Sequence, residues 1–265
     1  MNIQRVLFVS GAANLGGVQS STRARIRALE RAGVSAHKLF LQPGAGMATY
    51  ADIPTFITGE PREQDQIVRA GRYDAISMIN RLDLLPSLRR TRYRGRVLLE
   101  VRGKARHAID ACKTLTSRDV GGIIVISRYV RDIVRKALST NDVPIHVVYN
   151  TVDTGLFRPL GPSDEKVGLY GHDAAKRPVV LWVGRLSKNK NYKEMLRIAA
   201  LLVRNMPRPP VFWVVCDTNA KDNTKKFWHM VRAGGLGRHV RLLPCVPHAM
   251  MVHVYNAVAR SGGCV

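Results

Sequence analysis

The sequence predicts an α/β fold built as two Rossmann-like domains, the second incomplete, and three observations carry that prediction. Short apolar runs such as Val179–Val183 and Gly121–Ile126 alternate with stretches of helical period, the pattern of parallel strands covered on both faces. Glycine-rich or polar loops separate several of these runs from the helix that follows. The alternation is interrupted once, over a polar, glycine-containing stretch from Pro162 to Pro178. The chain therefore divides into residues 1–160, a linker at 161–178 and a second domain at 179–265. With 265 residues, 46% hydrophobic and 23% charged, it can bury a real core in each part.

Taken in order, Val6–Val9 is a first strand, followed by a loop carrying Gly16 and Gly17 and by a helix on which Thr22, Ile26 and Leu29 share a face. The glycines match neither a dinucleotide fingerprint nor a P-loop. Ala36–Leu41 reads as a strand and Gln42–Gly59, without a period, as loop. Pro61 suits the first turn of a helix towards Ala70. Asp74–Ile79 is a strand, Leu82–Leu88 a short helix, and Arg96–Val101 and Gly121–Ile126 are further strands. Ser127 is an N-cap for a helix carrying Val130, Ile133, Val134 and Leu138, and Ile145–Tyr149 closes the first sheet. The second half repeats the alternation with strands at Val179–Val183, Val211–Cys216 and Val240–Leu243. Helices are expected at 191–204, around Lys225–Ala233, and from Pro247 through Val258. In the first of these, Asn191 is the expected N-cap, Glu194 completes a capping box, and Met195, Ile198, Ala199 and Leu202 form the buried face.

The loop after Val179–Val183 places Arg185 and Lys190 just ahead of a helix start, where free backbone N–H groups already favour an anion. This is a chemically sensible diphosphate site, and a solvated loop with two surface charges is the alternative. The stretch Gly184-Arg185-Leu186-Ser187-Lys188-Asn189-Lys190-Asn191 resembles the first strand-loop-helix of the C-terminal domain in family 4 glycosyltransferases of the GT-B fold. A second stretch, Asn150-Thr151-Val152-Asp153 through Phe157 and Pro159, resembles that family's signature at the domain crossover, with Thr151 in place of glycine.

The resemblance implies two Rossmann-like domains and metal-independent transfer with retention from a nucleoside diphosphate sugar, which is substrate rather than cofactor. It implies that Gly184, Arg185 and Lys190 hold the donor diphosphate, with Gly16 and Gly17 near it. Ser127 stands at a corner where the family has a serine, Asn150 belongs to the crossover signature, and Asp217 follows a strand at the edge where ligands bind in such sheets. Many relatives have a histidine or acid directly after the fourth strand of the first domain, whereas this chain has Arg102. His107 is then the catalytic candidate, beside the alternative of a solvated or capping histidine. Arg102 and Lys104 suit an anionic or lipid-linked acceptor.

A net charge of +23 points to polyanionic surroundings, and the run Arg89, Arg90, Arg92, Arg94 and Arg96 is compatible with peripheral membrane contact. Nucleic acid is disfavoured, because aromatic content is 6% and no basic–aromatic platform is present. Cys112, Cys216, Cys245 and Cys264 are too dispersed for zinc or a disulfide framework, and His229, His239, His248 and His253 lack metal-ligand spacing, so no metal is expected. No leader precedes Val6 and no apolar run approaches the roughly 20 residues of a spanning helix, so a cytoplasmic location is expected. The sequence ends at Ser261–Val265, where a fourth strand of the second domain is expected, ahead of the position of the family's Glu-x7-Glu motif. A truncated glycosyltransferase is the leading expectation. A non-catalytic protein that binds a nucleotide or anionic surface through the same fold is the alternative.

Overall fold

A computed structural model describes residues 3–14, 16–44, 46–161, 176–218, 221–244 and 246–265. Two compact units divide it, Met1–Val152 and Asp153–Val265. The expected linker at 161–178 falls largely on residues 162–175, outside the described residues. Among the described residues, no helix is long and apolar enough to cross a membrane.

In the first unit the elements are β1 (Arg5–Ala12), α1 (Gly17–Arg31), β2 (Ser35–Gln42), β3 (Thr55–Ile57), α2 (Pro61–Gly71), β4 (Ala75–Ile79), α3 (Leu85–Arg90), β5 (Arg96–Val101), α4 (Arg106–Cys112), β6 (Gly122–Val125), α5 (Arg128–Ala137) and β7 (Ile145–Val147). The strands form one parallel sheet in the order β3-β2-β1-β4-β5-β6-β7. Side chains alternate across a strand, so β1 sends Leu7 and Val9 to one face and Val6 and Phe8 to the other. The first face packs on Val68, Leu88, Ala108 and Val134 from α2 to α5. The second packs on Ile26 of α1 and on Tyr50 and Ile53.

The stretch Gln42–Gly59, expected to be loop throughout, contains a 3-10 turn at Met47–Tyr50 and the edge strand β3. Three residues are too few to show a period. Pairing with β2, Leu39 opposite Phe56, makes the strand, and burial of Tyr50, whose hydroxyl donates to Gln19 O at 2.7 Å, fixes the turn.

The second unit runs β8 (Val179–Val183), α6 (Tyr192–Asn205), β9 (Val211–Cys216), α7 (Lys221–Ala233), β10 (Val240–Pro244) and α8 (Met251–Arg260). Its parallel sheet has the order β10-β9-β8. Central β9 is buried along its whole length, with Phe212, Val214 and Cys216 facing α6 and α7 and Trp213 and Val215 facing α8. Cys264 makes a parallel bridge to Val180 on the free side of β8, where the sequence places a fourth strand. There Gly263 passes so close to Val179 that an added Cβ would collide with its carbonyl oxygen. Phe157 packs edge-on against His248 and Tyr255, at 5.0 and 6.1 Å between ring centres, which ties the segment after Asp153 to this unit.

At α6 the expected capping box is corrected, and the expected buried face holds except at one residue. Asn191 precedes the helix, but its backbone is left-handed (φ 51°) and its side chain caps nothing, while Glu194 pairs with Arg197 at 2.6 Å. No capping box forms. Of the expected buried face, Ala199 is buried and Met195 and Leu202 pack half-buried on the same core, while Ile198 is exposed; Tyr192, its ring 6.2 Å from Phe227, and Leu196 complete the buried stripe.

Candidate functional site

In the first unit, the chain leaves β1 towards β2 and leaves β4 towards β5, so the strand order reverses between β1 and β4. Ligands of open parallel sheets bind outside the carboxyl ends at such a reversal. Gly16 and Gly17 lie at the N-terminus of α1, which follows β1. Gly16 has φ 155°, a conformation reserved for glycine, and the first turn of α1 holds neither an acidic residue nor a capping side chain. Its N–H groups can meet an anion.

Behind that edge lies a buried polar row. Lys38 on β2, Ser10 on β1, Ser77 on β4 and Glu100 on β5 occupy the face that α1 covers, each nearly or fully buried. Lys38 Nζ donates to Ser10 Oγ at 2.6 Å and stands 4.7 Å from the centre of the Phe40 ring. Glu100 Oε1 accepts from Ser77 Oγ at 2.6 Å, while Oε2 accepts from Arg25 Nη1 on α1 at 3.0 Å and from Arg102 Nε at 2.6 Å. Arg102 Nη1 continues to Ser21 Oγ at 3.2 Å and Asn150 Oδ1 at 3.0 Å, and its backbone N–H donates to Asn80 Oδ1 at 2.7 Å. A carboxylate this deep persists because its acceptors are filled by cations and a hydroxyl.

This row corrects the reading of Arg102. Its side chain is only 1% exposed and is paired to Glu100, so it offers no free charge to an anionic acceptor and instead ties Asn150 to the sheet. Lys104 is exposed, its ammonium 4.8 Å from the Tyr129 ring centre. Ser127 caps α5, accepting from Val130 N–H at 3.2 Å. His107 is exposed in the first turn of α4 and adds to the charge that acts on Asp83.

In the second unit, Gly184 N–H donates to Val215 O at 3.0 Å, and buried Leu186 pins the following loop to the core under α6. Arg185 and Lys190 flank that anchor and are both exposed. Ser187 Oγ donates to Asn189 Oδ1 at 2.6 Å, and Lys190 N–H closes a turn to Ser187 O at 3.0 Å. The turn brings the Lys190 stem back over the strand end, 3.6 Å from where a Gly184 Cβ would stand. Asp217 follows β9, half-buried.

No protein-family model matches the sequence, and no curated protein does. Solved structures do. HepE of Anabaena, crystallised with UDP and glucose, has a TM-score of 0.76 at 18% identity, over 96% of this chain and 72% of that one. A glycosyltransferase of Rickettsia africae scores 0.71 at 15% identity, over 97% of this chain and 72% of that one. Sucrose-phosphate synthase of Thermosynechococcus elongatus scores 0.68 at 15% identity, over 96% of this chain and 73% of that one. The fold is GT-B.

Within this GT-B chain, Lys38, Ser10, Ser77, Glu100 and Arg25 are site-edge residues that no motif in the sequence nominates. A signal was present: a charged residue inside Val-Leu-Leu-Glu-Val or Lys-Leu-Phe-Leu is a buried charge that needs partners. Burial pushes the Lys38 ammonium down to about 7, against the opposing pull of Glu100. Between that value and the ordinary 10.5, the unfolded chain holds more protons at Lys38 than the folded one, so stability rises with pH there and the penalty is complete below about 7. Lys38→Met is expected to remove this rise. The urea midpoint from pH 7 to about 9.5 reads it, a range below the titration of Tyr50 and Tyr93, whose hydroxyls burial pushes up. An unchanged slope in the variant would assign the rise to other groups.

Proposed function

We propose that the chain transfers a sugar with retention from a nucleoside diphosphate donor to an acceptor hydroxyl, without a metal or other cofactor. The Arg185–Lys190 loop carries this reading. It presents two exposed cations, neither in an ion pair among the described residues, at the end of a parallel strand in a GT-B fold. HepE of Anabaena, similar in fold, has been crystallised with UDP and with UDP-glucose.

When the bond from the anomeric carbon to the diphosphate oxygen breaks, both electrons stay with the diphosphate. The acceptor oxygen bonds to the anomeric carbon, and its proton passes to the departing phosphate oxygen. Arg185 and Lys190 stabilise the charge that grows on the leaving group, an interaction stronger in the transition state than in the ground state.

Calorimetric titration with UDP, GDP and ADP tests the donor side. Binding of UDP, weakened at least about tenfold in Arg185→Ala, is the expected result, the loss of one charge-assisted contact. Failure of all three nucleotides to bind the intact chain would remove the reading.

A further inference from the structure

The first unit contains a cavity of about 280 Å3 between the carboxyl ends of β1 and β2 and the helices α2 and α3. None of the residues the sequence nominates for the site lines it. We propose that this cavity binds one neutral sugar ring, as the acceptor of the transfer. The acceptor role rests on the glycosyl-transfer reading, whereas the binding chemistry stands by itself.

Charge pairing disfavours an anion. Arg81 and Asp83 face the cavity as a two-point pair, Nε to Oδ2 at 2.7 Å and Nη2 to Oδ1 at 2.6 Å. Arg90 is held the same way by Asp65, at 2.9 Å on both contacts. The Arg81 guanidinium beside Asp83 holds its carboxyl below the usual range, with a smaller contribution from His107, so the pair stays ionised and balanced. In a chain of net charge +23, the two guanidinium groups on this wall are balanced by Asp83 on it and by Asp65 behind it. A phosphate would find each of these guanidinium groups already matched by a carboxylate.

Polyhydroxylated ligands fit what remains. A guanidinium–carboxylate pair sets N–H donors beside oxygen lone pairs, and adjacent sugar hydroxyls need both at that spacing because each donates and accepts. Arg90 Nη2 donates to Ser87 Oγ at 2.8 Å, and Ser87 Oγ donates to Gln64 Oε1 at 3.2 Å. Ser87 and Gln64 are 1% and 6% exposed, so these groups are fixed before a ligand arrives. Pro61, Pro86 and Leu41 supply apolar wall for the ring C–H faces. Gly11 lets the Arg81 stem lie against β1, since a Cβ there would come within 3.2 Å of Arg81 Cδ. The volume lies just under the roughly 300–1,000 Å3 of small-molecule sites, which suits a single ring.

Saturation-transfer NMR on the full chain, with glucose, galactose, mannose and N-acetylglucosamine against glucose 6-phosphate, tests this. At least one neutral sugar is expected to bind, more tightly than glucose 6-phosphate. Asp83→Asn is expected to weaken it at least about tenfold, as sites built on hydroxyl contacts do when a contact is lost, and to leave UDP binding unchanged. Silence from all four neutral sugars, preference for the phosphate, or neutral binding that survives both Asp83→Asn and Arg90→Gln would each overturn the pocket. UDP binding in the same samples reads the donor proposal separately: UDP without sugar overturns the pocket alone, and sugar without UDP overturns the donor assignment alone.

Discussion

Glu100→Gln is expected to lower the stability of the first unit by about 3–5 kcal/mol, because it leaves buried cations without their counter-charge. Glu100 is 1% exposed and receives Arg102, Arg25 and Ser77 together. Glutamine keeps the shape and one acceptor oxygen, so the loss measures charge rather than volume. Urea unfolding followed by far-ultraviolet circular dichroism reads it as a fall in midpoint. The double variant Glu100→Gln/Arg102→Met should recover part of the loss, since removing both members of a buried pair costs less than orphaning one. A single-variant loss under about 1 kcal/mol, the scale of an exposed pair, would mean that the surrounding dipoles and not Glu100 hold the arginines.

Loss of turnover is the second large effect. Arg185→Ala and Lys190→Ala are each expected to lower kcat for transfer from the nucleotide sugar by about 10²–10³, the scale of removing one preorganised group from a developing anion. Both side chains are exposed and neither joins the core, so the urea midpoint should move by no more than about 0.5 kcal/mol equivalent. The two losses should not add, because both cations act on one leaving group. Normal turnover in both variants would refute the assignment. A fall in kcat matched by an equal fall in stability would show that the loop is structural.

The strands and most helices of both units were legible in the chain because their signal is local. Val179–Val183 and Val211–Cys216 are apolar runs of strand length, and Pro61 opens α2 where its missing N–H costs nothing. The loop with Arg185 and Lys190 could be read for the same reason, since strand, cations and helix are contiguous. The Gln42–Gly59 stretch was misread because β3 exists only through its pairing with β2. On α6 the expected face holds for Met195, Ala199 and Leu202 and fails at Ile198, because Tyr192, against Phe227 from far along the chain, and Leu196 are the residues that pack beside Ala199.

Arg102 shows the difference most directly. By itself the sequence determined that a cation follows β5, and its charge suggested an anion in solution. The tertiary structure decided that Arg102 faces Glu100 and Asn150, and that Arg81 lies against Gly11 with Asp83 as its partner. Hydrophobic period and turn chemistry belong to neighbouring residues and survive in one dimension. Which cation meets which carboxylate depends on strand order and on the register of β1 with β4, and these arise only when distant segments pack.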